Sequence, residues 1–562
     1  MILRLAVIPF LLVLAGACAA RAPVADGAAV PPLPPEAELR YRLLASEVAA
    51  VRASPVEAAE HAMRAAELAS DPPVAARALE LALAAHNDML ALAAARRWQA
   101  LAPQDESAIR HLAVLELRSG SIETAFGHFA ALLETASPGG ERDERARALV
   151  AMLLEEPVRE RAADLLMRLA EAHPDDAELQ YGVALAAARA ARREQALAAA
   201  ERTLALDPHR GDAHLLRARI LLGLGRRDEA LDGMARRLTG SPEDTQLRLG
   251  YAHLLAEAGE YARARGEFEE VLRRLPQQPE ALFALGLLAL DEGRLEEARA
   301  RFLELLRTGL HTDDALYFLG VTEERDGDVG EALEWYRRTG NGPRFLDAQG
   351  RIAGLLMSRT NLTAGREYLA RMRTARPELT RDLYLVEARL LMARDQHVLA
   401  RHALDALLAA LPADLESRYL RGVLAAQMGD VAQAERDLRA VIDARPDDAE
   451  ALNALGYTLA DATNRHLEAY GLIRRALTLA PDNPAIIDSM GWVMYRLGNH
   501  AQAIDYLRRA LALQNDPEIA AHLGEVLWVS GAREEARLVW EAALRDFPDD
   551  KTLHATVSRF TR

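Results

Sequence analysis

This 562-residue chain holds one cysteine and one lysine, Cys18 and Lys551, so thiol and amine chemistry have one position each. A lone thiol cannot form a disulfide within the chain. It is left as a buried apolar residue, a reactive nucleophile or an attachment point. Glu518 and His522 stand four residues apart and share a helix face, a spacing that suits a surface contact better than a catalytic or metal pair. His397 and His402 are five apart and do not align on a helix. The chain has no GxSxG, no HExxH, no GxxxxGK[ST] and no paired cysteines. These residues predict a protein without catalytic machinery, metal or cofactor.

The elements around Cys18 give it a role. Arg4 is a positive start, Leu5 to Leu14 a short apolar run broken by Pro9, and Ala15, Gly16 and Ala17 are small. The run is well short of the roughly 20 residues a membrane span needs, so residues 1–17 read as an export signal. Because the cysteine follows directly, the stretch resembles a bacterial lipoprotein signal, although Ala15 stands where that family prefers leucine. The resemblance implies that Cys18 becomes the first mature residue and carries the lipid, two or more acyl chains anchoring stably where one does not. An ordinary signal peptide with an incidental cysteine is the competing reading. Ala19 and Ala20 follow without the aspartate that retains enteric lipoproteins in the inner membrane, which favours the periplasmic face of the outer membrane. Residues 18–35 are rich in alanine and proline, and at about 3 Å per residue they form a tether of up to roughly 50 Å.

Composition sets the fold class. Alanine and leucine dominate, aromatics are 5% and apolar residues 50%, which predicts an all-α chain with ample core. The net charge of −16 argues against a nucleic-acid partner.

An internal ruler organises the rest. Pro174, Pro208, Pro242 and Pro276 are 34 residues apart, and Pro377, Pro412, Pro446, Pro481 and Pro548 resume the series. Twelve residues before most of them stands an alanine, such as Ala196, Ala434 or Ala536, and about twelve further back a small residue, such as Ala218, Gly422 or Gly524. Small residues let antiparallel helices approach, and the proline stops the second helix. In residues 485–513, Ile487, Met490, Gly491 and Met494 make one apolar face, Gly498 breaks the helix, and Ala503, Leu507 and Ala510 face inward. This pattern resembles the tetratricopeptide repeat. It implies an all-α solenoid, a right-handed superhelix of about fifteen helix pairs in which neighbours share a core.

The divisions expected are N-terminal repeats over 36–340, C-terminal repeats over 341–548 and a capping helix over 549–562, with Leu553, Val557 and Phe560 on one face. The match is weakest before residue 110. "TGNGPRF", residues 339–345, breaks the ruler and reads either as a joint or as an ordinary inter-repeat loop.

In such repeats the first helix of each pair lines the concave side. That places Tyr419, then Asn453 and Tyr457, then Asp488, Trp492 and Tyr495, then Glu525 and Trp528 on one partner-binding wall. Aromatics beside hydrogen-bonding groups suit protein capture. Packing between neighbouring repeats is the other reading, equally balanced for Trp492. Trp335, Tyr336, Trp540 and Phe302 fall on second helices and are assigned to the core.

The whole layout resembles tetratricopeptide-repeat lipoproteins of Gram-negative bacteria, and residues 451–544 resemble those that partner a carboxyl-terminal processing protease. The resemblance implies an adaptor that binds this periplasmic serine protease and delivers substrates such as peptidoglycan hydrolases. The chain itself cannot supply that protease's serine/lysine dyad, because Lys551 lies in the cap. An assembly scaffold for an outer-membrane machine, for polysaccharide export, pili or barrel insertion, is the alternative. An enzyme with its site inside the solenoid is a third.

Overall fold

The computed structural model describes residues 33–135, 140–357 and 361–561. The export signal, Cys18 and the tether up to residue 32 lie outside the described residues. Thirty-one α-helices follow one another among the described residues, with no strand, and are numbered in chain order.

A short rule sets several of the repeat boundaries. Proline ends one second helix, and an acidic or amide residue two positions later caps the next first helix. Asp176, Asp244, Asp414, Asp448 and Asn483, each two residues after a proline, accept hydrogen bonds from backbone N–H groups of the first helical turn. The proline carbonyl is satisfied as well. Gln180, His214, Arg248, Arg418 and His554, six residues on, each bond to it. Where position six is leucine or isoleucine, Arg475 and Arg509 of a later helix reach Pro446 and Pro481 instead.

Within a pair, a small residue receives a large one. A Cβ built on Gly286, Gly320, Gly422, Gly456, Gly491 or Gly524 would fall 2.0–2.9 Å from Phe302, Tyr336, Leu438, Ile473, Leu507 or Trp540 respectively. Each large residue stands sixteen or seventeen positions after its glycine. The alanine of the second helix packs beside it, and Ala503, Leu507 and Ala510 are all fully buried. Trp540, Tyr336 and Phe302 are core residues as expected, while Trp335 is half-buried with Arg338 stacked 4.4 Å over it.

The helices form two compact units that meet at Arg274 and Leu275. The first begins with α1 (Pro35–Val51), α2 (Pro55–Leu68), α3 (Pro72–Ala84) and α4 (Asp88–Leu101), regular helix pairs despite the loose periodicity before residue 110. Residue 340 lies inside the second unit. The 339–345 loop is held on several sides. The Gly340 N–H donates to Asp313 at 2.9 Å, Arg344 pairs with Asp314 at 2.8 Å, and Arg376 donates to Asn341 at 2.8 Å.

The second unit ends with α25 (Ala449–Ala462), α26 (His466–Leu479), α27 (Pro484–Arg496), α28 (His500–Leu513), α29 (Pro517–Val529), α30 (Arg533–Asp546) and α31 (Lys551–Thr561). Gly498 takes φ of +84° at the turn after α27, a conformation glycine adopts without strain. Leu553 of α31 is fully buried, and Val557 and Phe560 pack against the same core.

Candidate protein-binding site

Nine consecutive residues of α27, Ile486 to Met494, and nine of α29, Ile519 to Leu527, are buried. Helices of this kind show one apolar face, so burial all round means that the other face is covered too. Side chains from neighbouring first helices cover it, and most of the residues expected on the wall meet there.

The centre is His522 on α29. Its Nδ1 lies 3.0 Å from both carboxylate oxygens of Asp488, and its ring stacks on Trp492 at 4.2 Å. The Tyr457 hydroxyl reaches over from α25, donating to Glu518 at 3.1 Å and standing 3.5 Å from His522 Nε2. Tyr495 lies 5.2 Å from Trp492 and donates to Glu525 at 3.3 Å. Arg559 of α31 pairs with the same Glu525. Thus Tyr457, Asp488, Trp492, Tyr495 and Glu525 form one network. Asp488, Trp492 and Glu525 are buried in it, at 6%, 6% and 8% exposure.

Three expected residues stand apart. Tyr419 is half-buried on α23 (Leu415–Gln427), one pair earlier. Asn453 is half-buried on α25, its Oδ1 enclosed without a protein partner. Trp528 turns to the cap, 5.7 Å from Trp540 and 6.4 Å from Phe560, with Arg533 and Arg537 over its face.

The electrostatics follow from enclosure. Burial works against a charge on His522, but the Asp488 carboxylate outweighs it with help from Glu518 and Glu525, so the imidazole keeps its proton to higher pH than a free histidine. Burial, reinforced by Glu518, Asp461 and Asp488, pushes the Tyr457 phenol far above its ordinary range. Tyr495 is raised by burial and then by Glu525. Tyr419 is raised by burial and then by Glu450. A wall of this kind offers aromatic faces and oriented carboxylates, which is binding chemistry. Among the described residues no group of three or more His, Cys, Asp or Glu is placed to hold a metal ion.

Sequence reasoning missed His522, Glu518 and Arg559 as members of the site. The signal was the period itself: His522 follows Asp488 by 34 residues, and Arg559 follows Glu525 by 34.

The tetratricopeptide repeat family model matches residues 184–245, 249–309, 283–344, 424–484 and 490–551, half of the chain. The chain belongs to the tetratricopeptide repeat family. A TPR repeat-containing protein of Pseudomonas aeruginosa is 46% identical over 202 residues, 36% of this chain and 34% of that protein's length. A thermophilic TPR protein of Thermus thermophilus aligns over 32% of this chain and 98% of its own, at 22% identity and a TM-score of 0.30. Yeast Tom70 aligns over 75% and 96%, at 14% identity and a TM-score of 0.39. Tetratricopeptide repeats indicate a scaffold for protein–protein interaction. Among the described residues no helix is long and apolar enough to cross a membrane.

Proposed function

We propose that this tetratricopeptide-repeat protein is a non-enzymatic adaptor, anchored through lipid on Cys18 at the periplasmic face of the outer membrane. It binds a periplasmic serine protease of the carboxyl-terminal processing class and presents substrates to it, peptidoglycan hydrolases among them. The observation that carries the binding role is the aromatic and carboxylate wall of α25 to α31, where Tyr457, Tyr495 and Glu518 keep part of their surface open beside a buried network. The resemblance of residues 451–544 supports the choice of partner, and that of residues 1–18 supports the anchor.

The test is capture from membranes of the source cells with the full-length chain, followed by mass spectrometry. A soluble serine protease that co-purifies, and whose turnover of an unfolded substrate rises on adding the chain, is the expected result. A secretin or β-barrel protein in its place overturns the adaptor reading in favour of an assembly scaffold. Metabolic labelling with a palmitate analogue tests the anchor, and label retained after Cys18→Ser overturns it.

A further inference from the structure

We propose that Glu525 and Tyr495 form a guanidinium site which Arg559 of the chain's own cap fills in the free protein, and which an arginine on a bound partner fills in the complex. This rests on the protein-binding reading of the same wall and names the chemistry of the segment captured.

Three observations converge. First, the Glu525 side chain is 10% exposed, and a carboxylate so enclosed needs a cation. Arg559 supplies it while its own side chain stays 59% exposed, so the ion pair has one fixed member and one at the surface. The neighbouring carboxylates have partners of their own. Asp488 is engaged by His522, Glu518 by Tyr457, and Asp461 by Arg496. Removing Arg559 takes away the cation that pairs with Glu525.

Second, the pairing follows the repeat. Asp488 on α27 is met by His522 on α29, and Glu525 on α29 by Arg559 on α31, each 34 residues on. In both cases the first helix takes its cation from the next. A partner laid along the wall competes with Arg559 by presenting a cation to Glu525 in that same register.

Third, the place has the right surfaces. Arg559 stacks 4.7 Å from the Phe560 ring, and the Tyr495 hydroxyl holds Glu525 from the other side. A planar guanidinium matches a carboxylate through two parallel hydrogen bonds and stacks on a ring, which a lysine ammonium does not do as well.

The experiment uses the full chain and a fluorescein-labelled octapeptide, Gly-Ser-Arg-Gly-Ser-Arg-Gly-Ser, beside a twin with citrulline at both arginine positions, read by fluorescence anisotropy. The arginine peptide is expected to bind about tenfold or more tightly than its twin, and the isosteric Glu525→Gln to lose about that factor. Arg559→Gln removes the internal competitor, so it is expected to tighten binding several-fold. Tyr495→Phe, which keeps the ring and drops the hydroxyl, weakens it. Equal binding of the two peptides, or weaker binding by Arg559→Gln at an unchanged melting temperature, overturns the proposal. Membrane capture separates this site from the adaptor role. A protease held equally by wild type and Glu525→Gln sinks the guanidinium site alone. A protease absent from the wild-type capture sinks the adaptor alone if the peptides still discriminate.

Discussion

The first four helices and the last seven solve the same packing problem with different side chains. In α1 to α4 the core is largely alanine, with Ala58, Ala59, Ala62, Ala66, Ala75 and Ala78 among its members. In α25 to α31 it is Leu, Ile, Met and Trp seated over glycines. Alanine lets helix axes approach closely but buries little apolar surface per residue. A large side chain over a glycine buries far more, at about 0.8 kcal/mol per methylene. The ends differ too. Tyr41, Leu44, Val48 and Val51 stand along one face of α1 at 47–87% exposure. By contrast, α31 turns Leu553 inward and shows Lys551, His554, Ser558 and Arg559 to solvent. Among the described residues, then, the outer face of α31 is polar and this face of α1 is apolar. The polar face of α31 is therefore a property of its own residues rather than one that stacking confers.

The contrast is broken most directly at Trp540, 1% exposed and seated over Gly524. Trp540→Ala is expected to cost about 3–5 kcal/mol in the local stability of α29 to α31. Amide hydrogen exchange in the full chain reads this region separately from the alanine-packed helices, whose protection should not change. A loss below about 1 kcal/mol would mean that the large core residues are not what holds this end together. The reverse change suits the other end. Ala62→Leu adds volume to a site 3% exposed among other alanines, and overpacking should cost about 1–3 kcal/mol, read as faster exchange in α2 to α4. A neutral or stabilising outcome would show slack between these helices.

The same contrast decides what was legible in the sequence. Pro446, Gly456 and Ala469 mark their repeat because each answers a local necessity: a stop, a close approach, a tight contact. Around Ala58, Ala59, Ala62, Ala65 and Ala66 the small-residue marks are hidden, since any of several alanines could serve. The wall was legible as a face, and Tyr457, Asp488, Trp492, Tyr495 and Glu525 do come together. Its closure was not, because it depends on the offset between successive pairs. Glu518 and His522 look like a surface pair on one isolated helix. Once the next helix is laid at its distance, His522 falls on Asp488 and Glu518 on Tyr457. Trp528 shows the opposite failure. Its register places it on the wall, but Trp540 of α30 and Phe560 of the cap draw it toward them.

A gentler probe asks whether the buried network itself adds to the stability of the C-terminal end. His522 holds its proton more tightly in the folded protein than in the unfolded chain, where an imidazole titrates near pH 6.5. The folded state therefore binds more protons than the unfolded state between those two values. The stabilisation is fully present below about pH 6.5 and is lost as pH rises through the folded value. Denaturant unfolding across this range should show the C-terminal step weakening as the solution becomes more alkaline, with His522→Gln flattening that slope. Charges facing the imidazole from α27 and from its own helix, Asp488, Glu518 and Glu525, all favour the protonated form, so Asp488→Asn should flatten the slope as well. The alanine-packed helices lack this pair and serve as the internal control. A wild-type slope of opposite sign, or one that survives His522→Gln intact, would mean that the aromatic stack rather than the ion pair holds α27 against α29.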